Sequence, residues 1–170
     1  MSFNPNTPRL SKPEYGCYLA LSARSRSEDP HTQVGVALFD EEWRTVSTGF
    51  NGFGPGFLPK ETVFKDRETK SCLINHAEIN AILYSSRQAY YACMVYSPCI
   101  HCAKTIAATS IKEVYFIKQY YKGGKDADLK YAKIFDLFGI KCFQASKDSL
   151  ANIEKVMKSE LENIKNLYDA

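Results

Sequence analysis

Two short stretches of the chain carry residues that could do chemistry together. One is His76-Ala77-Glu78; the other is Pro98-Cys99-Ile100-His101-Cys102, with nineteen residues between Glu78 and Pro98. Imidazole and thiolate are the donors zinc prefers, and a catalytic zinc keeps one of its four positions for water. His76, Cys99 and Cys102 therefore read as three protein ligands with the fourth position open. Glu78 is left beside the site as a base, which metal-assisted hydrolysis needs to move protons. Two blander readings stand next to this one. His101 could close the site as a fourth ligand, although it lies between two ligands that already share a face. Alternatively, the two half-motifs could be structural and hold no metal.

The elements that must position these residues follow from the same stretches. Asn75 reads as an N-cap, so that His76 opens a helix running to Arg87 and Glu78 falls in its first turn. Ser97-Pro98 repeats the pattern: Ser as N-cap, Pro at the first helical position, and a helix to Thr109. Cys99 and Cys102, three apart, then share a helix face. A helix N-terminus favours the thiolate form, so two such termini facing each other would make a partly positive pocket.

The chain as a whole sets the limits. Its 170 residues, 45% hydrophobic and 24% charged, suit one globular domain with a core of its own. A net charge of +3 does not suggest a general nucleic-acid binder and allows a small anionic substrate. Met1 to Pro13 is polar, with no apolar run of a signal peptide, and no stretch approaches the ~20 apolar residues of a membrane span. A reducing cytoplasm is the expectation. Cys17, Cys72, Cys93 and Cys142 then read as small buried apolar residues.

Along the chain, residues 1–11 read as a loose proline-spaced arm, 12–145 as the catalytic domain and 146–170 as an appended helix. Lys12 to Ser27 is a helix candidate stopped before Asp29-Pro30. Val34 to Phe39 and Thr45 to Phe50 form a hairpin across Asp40 to Arg44, with Trp43 partly buried at the turn or available as a contact. Asn51 to Ser71 reads as a long, functional loop. Ala92 to Tyr96 and Glu113 to Lys118 are strands, Gly123-Gly124 a turn, Asp126 to Phe138 a helix stopped by Gly139, and Ile140 to Gln144 a last strand. In the tail, Leu150, Ile153, Met157, Leu161, Ile164 and Leu167 recur every three or four residues over Lys147 to Tyr168. That stripe would cover the domain's own core or meet another subunit. The alternation predicts a three-layer α/β/α sandwich with a mixed five-stranded sheet.

The combined H-x-E and P-C-x-x-C pattern is the signature of the zinc nucleobase deaminases. Four further stretches make the chain resemble the deoxycytidylate (dCMP) deaminases of the cytidine deaminase superfamily. Asp29-Pro30-His31-Thr32-Gln33-Val34-Gly35 is similar to their DP-x-[ST]-Q-V-G, and Ser47 to Gly52 to their STGYNG with Phe50 for Tyr. His76 to Ile82 resembles HAELNAI, and Ile111 to Val114 resembles the end of GIKEV. The likeness spans about residues 12–145.

This resemblance implies zinc at His76, Cys99 and Cys102, with Glu78 shuttling protons to N3 and to the departing ammonia. It implies a substrate-binding set of Asn51 near the sugar, the Ala77 backbone N–H at the base, Arg87 at the phosphate, Tyr120 (or Tyr121) stacked on the base, and Ser97. Tyr84 matches an aromatic position and reads as core packing. Many members of the family are hexamers, activated by dCTP with Mg2+ and inhibited by dTTP. Arg26, Thr32, Gln33, Asn51 and Gly52 match the region of that regulatory site. Glu28 stands where a lysine is common, and an acid faces a triphosphate unfavourably. The short interval from Glu78 to Pro98 predicts a trimmed helix–strand connection. Of the three histidines only His31 lies outside the motif, too few for a second zinc. A tRNA adenosine deaminase would need a basic face for the phosphate backbone. A deaminase of free cytidine or cytosine, and a non-catalytic zinc protein that senses nucleotides, complete the alternatives; the last has no use for Glu78.

Overall fold

The computed structural model describes residues 7–120 and 129–168. Helix α1 (Lys12–Arg24) begins at a capping box in which Ser11 accepts from the Glu14 N–H and the Glu14 carboxylate accepts from the Ser11 N–H, with Pro13 in the first turn. The hairpin β1 (Gly35–Phe39) and β2 (Thr45–Phe50) follows. Then come β3 (Gly52–Phe53), α2 (Glu61–Lys65), α3 (Arg67–Leu73) and β4 (Ile74–Asn75). The remainder alternates: α4 (Ala77–Leu83), β5 (Tyr91–Tyr96), α5 (Ile100–Ala107), β6 (Glu113–Lys118), α6 (Lys130–Phe138), β7 (Lys141–Gln144) and α7 (Lys147–Tyr168).

The main sheet has the order β2-β1-β5-β6-β7. β1 is antiparallel to β2 and to β5, while β5, β6 and β7 run parallel because helices cross over between them. Both faces are covered. Val36, Leu38, Met94, Val114 and Phe116 turn toward α4, α5 and α6, meeting Ala77, Ala81, Ala103, Ile106, Tyr131 and Phe135. Ala37, Phe39 and Cys93 turn the other way, toward Cys17 of α1 and Ile153 of α7. This is the expected three-layer sandwich with its mixed five-stranded sheet.

Several local readings are corrected. Residues 51–75 are not a structureless loop: they hold two short helices and the two-stranded sheet β3–β4, in which Gly52 pairs with Asn75. That pairing takes Asn75 out of the N-cap position, so His76 is the N-cap and α4 starts one residue later. α4 also stops at Leu83, leaving Arg87 in the connection to β5. α5 starts at Ile100 with Cys99 as N-cap, because the Ser97 hydroxyl accepts from the Tyr120 N–H instead. Cys72 and Tyr84 are exposed, unlike the core positions read for them.

Other readings hold. Gly139 ends α6 with φ 66°, the left-handed conformation that glycine adopts without strain. Trp43 stacks on Tyr91 at 4.2 Å between ring centres, a packing role. α7 begins and ends as read, and it docks on α1 through Ile153, Asn152 to Glu14 (3.0 Å) and Tyr18 to Glu160. Gly123-Gly124 lies outside the described residues. No helix among them is long and apolar enough to cross a membrane.

Candidate active site

The N-terminus of α4 is fixed by its contact with β2. Gly49 permits that contact: a Cβ there would lie 2.3 Å from the Ala77 carbonyl oxygen and 2.5 Å from the Ala81 nitrogen. Ser47 Oγ donates to the Ala81 carbonyl (2.6 Å) and Asn80 Nδ2 to the Phe50 carbonyl (2.9 Å), which pins the helix along its length. α5 is set by the end of β5, where the Ser97 N–H donates to the Lys118 carbonyl (2.9 Å) before Pro98 turns the chain.

These two helix starts bring His76 Nδ1 to 3.5 Å from Cys99 Sγ and 3.3 Å from Cys102 Sγ. All three ligand atoms lie within 4.8 Å of one another, and among the described residues they are the one such group. Zinc bonds of about 2.3 Å to sulfur and 2.0–2.1 Å to nitrogen in a tetrahedron place S and N about 3.5 Å apart. The donor set and its spacing therefore fit zinc. His101 is exposed and stands outside the trio, so it does not close the site.

The electrostatics are those of a metal-ready site. A hydrogen bond with Cys102, aided by His76, pulls the Cys99 thiol down to about 3, and the same sulfur–sulfur bond with burial pushes the Cys102 thiol up. One proton is thus held between two sulfurs that a divalent cation would take as thiolates. Glu78 is only 6% exposed, and burial holds its carboxyl above the ordinary 4.5, against its hydrogen bond to its own N–H. A buried carboxyl raised in this way suits proton transfer near neutral pH.

The trio opens onto a cavity of about 820 Å³. Ala77, Glu78, Ser97, Tyr120, Asn51 and Thr32 line it, together with His76 and Cys99. Asn51 Oδ1 already accepts from Ser27 Oγ and the Val34 N–H, both at 2.7 Å, and its Nδ2 donates to the Thr32 carbonyl (2.8 Å). One Nδ2 hydrogen remains for a ligand. Ser97 is a support for Tyr120, whose ring also meets Tyr96 edge-on.

Arg87 is not brought to this cavity. It follows α4, where its guanidinium reaches Asp40 Oδ2 and the Thr45 carbonyl, both at 3.4 Å, beside a separate hollow of about 310 Å³. Arg26, Gln33 and Gly52 also stay outside the cavity lining. Arg26 lies over the Phe50 ring, while the Glu28 carboxylate accepts from the Phe53 N–H (2.6 Å) and fills the space over Gly52.

Sequence reasoning read Asn51 to Ser71 as functional but, beyond Asn51, named none of the side chains by which that segment walls the cavity. Phe64, Arg67, Lys70, Ser71 and Ile74 line the cavity from α2, α3 and β4, and Asp29 lines it opposite them. The 67, 70, 71, 74 spacing is that of one helix face, but it is too short to stand out within a polar stretch.

The family model for the cytidine and deoxycytidylate deaminase zinc-binding region matches residues 10–118. A deoxycytidylate deaminase of Pongo abelii is 34% identical over 139 residues, covering 77% of this chain and 78% of that one. A Homo sapiens deoxycytidylate deaminase is 35% identical over 126 residues, covering 69% and 71%. Among solved structures, the dCMP deaminase of cyanophage S-TIM5 in complex with dCMP and dUMP aligns at TM-score 0.63 and 20% identity, covering 85% of this chain and all of that one. A structure of a tRNA:A34 deaminase aligns at TM-score 0.50. The fold is therefore shared with enzymes of different substrates, and the sequence matches carry the narrower kinship.

Proposed function

The chain belongs to the cytidine and deoxycytidylate deaminase family, and from that premise we propose that it hydrolyses dCMP to dUMP and ammonia with zinc held by His76, Cys99 and Cys102. The observation that carries this reading is the buried Glu78 carboxyl beside the ligand trio, in a cavity within the 300–1,000 Å³ range of small-molecule sites. Zinc in such a site supplies a Lewis acid that brings the ionisation of water near neutral pH.

The chain's own residues do the rest. Glu78 takes the first proton that water gives up and passes it to N3 of the cytosine ring; it then takes the second from the hydroxyl added at C4 and hands it to the departing amine, so that ammonia leaves and C4 exchanges nitrogen for oxygen. The Ala77 N–H, in the unsatisfied first turn of α4, donates to the base. The free Nδ2 hydrogen of Asn51 is directed to the sugar, and Tyr120 covers the base from a position held by Ser97.

The proposal includes a cytoplasmic homo-oligomer. The free thiols of the ligand trio need a reducing compartment. Met157, Leu161, Ile164 and Leu167 of α7 are each at least 44% exposed, an apolar stripe that suits a subunit contact and that light scattering would test. It does not include activation by dCTP with Mg2+. Asn51 bonds to the Thr32 carbonyl and Gly52 follows it, but the Glu28 carboxylate occupies the space over Gly52, where a triphosphate would meet it.

The test is ammonia release by zinc-loaded protein from dCMP, deoxycytidine and a tRNA anticodon stem side by side, with and without dCTP and Mg2+. Turnover of dCMP first, unchanged by the triphosphate, is the expected result. Preference for the RNA or the free nucleoside would replace this reading, and a rise in rate with dCTP would restore the regulatory site.

A further inference from the structure

The cavity is lined by two unlike sets of residues, and the second set is unassigned. Near the ligand trio lies Glu78. The same cavity is lined by Arg67, Lys70 and Ser71 from one face of α3 and by Lys130 from the start of α6. Lys70 is not available to a ligand: its Nζ is 2.8 Å from Asp29 Oδ2, and the two side chains are 13% and 6% exposed. Asp29 in turn accepts from the His31 and Thr32 N–H groups through its other oxygen. The pair therefore acts as a clasp tying α3 to the loop that holds Thr32 and Asn51. Of the carboxylates lining the cavity, Asp29 is neutralised by this clasp and Glu78 stands beside the ligand trio. Among the described residues neither Arg67 nor Lys130 has an ion-pair partner.

We infer that Arg67 binds the substrate's 5′-phosphate and that the Lys70–Asp29 clasp positions it. The inference rests on the proposed dCMP reading. A guanidinium is a planar fork of donors matched to two phosphate oxygens, which a lysine ammonium is not, and this ranks Arg67 above Lys130. The α3 register supports the assignment. Arg67 is one helical turn before Lys70, so the clasp fixes its place relative to Ile74, β4 and then His76. Base chemistry and phosphate recognition are thereby set at opposite ends of one continuous stretch of chain, residues 67–78.

The experiment compares wild type, Arg67→Ala, Arg67→Lys and Lys130→Ala as zinc-loaded full-length proteins. The readouts are the ratio of kcat/KM for dCMP to that for deoxycytidine, and the affinities for dUMP and deoxyuridine by calorimetry. Arg67→Ala should lower the kinetic ratio at least tenfold, Arg67→Lys should recover part of it, and Lys130→Ala should lower it less. A ratio unchanged in Arg67→Ala overturns the assignment, as does an equal loss on both substrates. A wild type that turns over neither compound fails the proposed reaction, and the calorimetry still decides the subsite. There, a dUMP affinity in Arg67→Ala equal to wild type overturns it, and a tenfold loss specific to dUMP supports it.

Discussion

The two walls of the cavity are built by different means. The α4–α5 wall is part of the core: Ala77, Glu78, Ala81, Cys102, Ala103 and Ile106 are all buried, and both helices start within a few residues of a strand end. The α2–α3 wall buries no residue in either helix. It is held by the two-residue pairing of β3 with β4, by Phe53 against Phe57 and Phe64, and by the Lys70–Asp29 clasp. Metal ligation and proton transfer tolerate displacements of only tenths of an ångström, which close packing provides. Contact with a charged group at the substrate's far end needs less exact placement, and an ion pair with a small aromatic cluster is enough.

Five measurements sharpen or break this contrast, beginning with the largest effect. Cys99→Ala should lose stoichiometric zinc and all turnover; a full complement of zinc in that protein would remove Cys99 from the ligand set. Glu78→Gln should keep its zinc and lower kcat by about 10²–10⁴, the range of general acid–base catalysis. Turnover near the wild-type rate would show that another group moves the protons.

Lys70→Met should leave the core intact and loosen only the exposed wall. Removing one partner of a buried pair costs about 3–5 kcal/mol, but α3 can undock to re-solvate Asp29, so the loss should register locally. Amide exchange in residues 61–75 is expected to speed up at least tenfold, with Tm nearly unchanged. A large drop in Tm would mean that the two walls are one cooperative unit.

Acid should act on the same clasp with a definite sign. Burial by itself raises the Asp29 carboxyl, but hydrogen bonds from Lys70, His31 and Thr32 outweigh it and hold the group below its ordinary 3.8. Its stabilising contribution is thus fully present above that value and is lost as pH falls through the lower folded one. Exchange at α3 should stay protected at about pH 5 and fail only on stronger acidification. Loss of protection beginning near neutral pH would point to another group. The smallest effect belongs to Arg87→Ala. Its pairing with Asp40 involves a half-exposed guanidinium, worth about 0–1 kcal/mol, and KM for dCMP should stay within about twofold. A tenfold rise would mean that Arg87 reaches a nucleotide after all.

Legibility in the sequence followed the length and sharpness of each signal. α7 was readable to the residue because six apolar positions keep helical spacing over 22 residues. β1, β2 and β6 were readable from their apolar and β-branched runs, and the five-stranded order of layers from the alternation of elements. α2 and α3, five and seven residues long, were not. Neither has an apolar face long enough to show a period, and their stability comes from contacts distant in sequence. The helix starts were misread by one or two residues at both helices that carry the candidate ligands. Asn75 and Ser97 look like caps in isolation, yet one pairs with Gly52 and the other accepts from Tyr120.

The sequence by itself determined which chemistry is proposed for this protein. Two thiols, an imidazole and a spare carboxylate at fixed spacing point to the zinc-assisted hydrolysis proposed here, because the donor types suit the metal and helix geometry puts the two cysteines on one face. Only the tertiary structure decided what else faces that centre. It carried Arg87 away to Asp40, set Glu28 over Gly52, and brought Arg67 and Lys70 from a polar segment to the cavity wall. These placements depend on pairings between residues far apart in the chain, Asp29 with Lys70 and β3 with β4, and no local pattern encodes them.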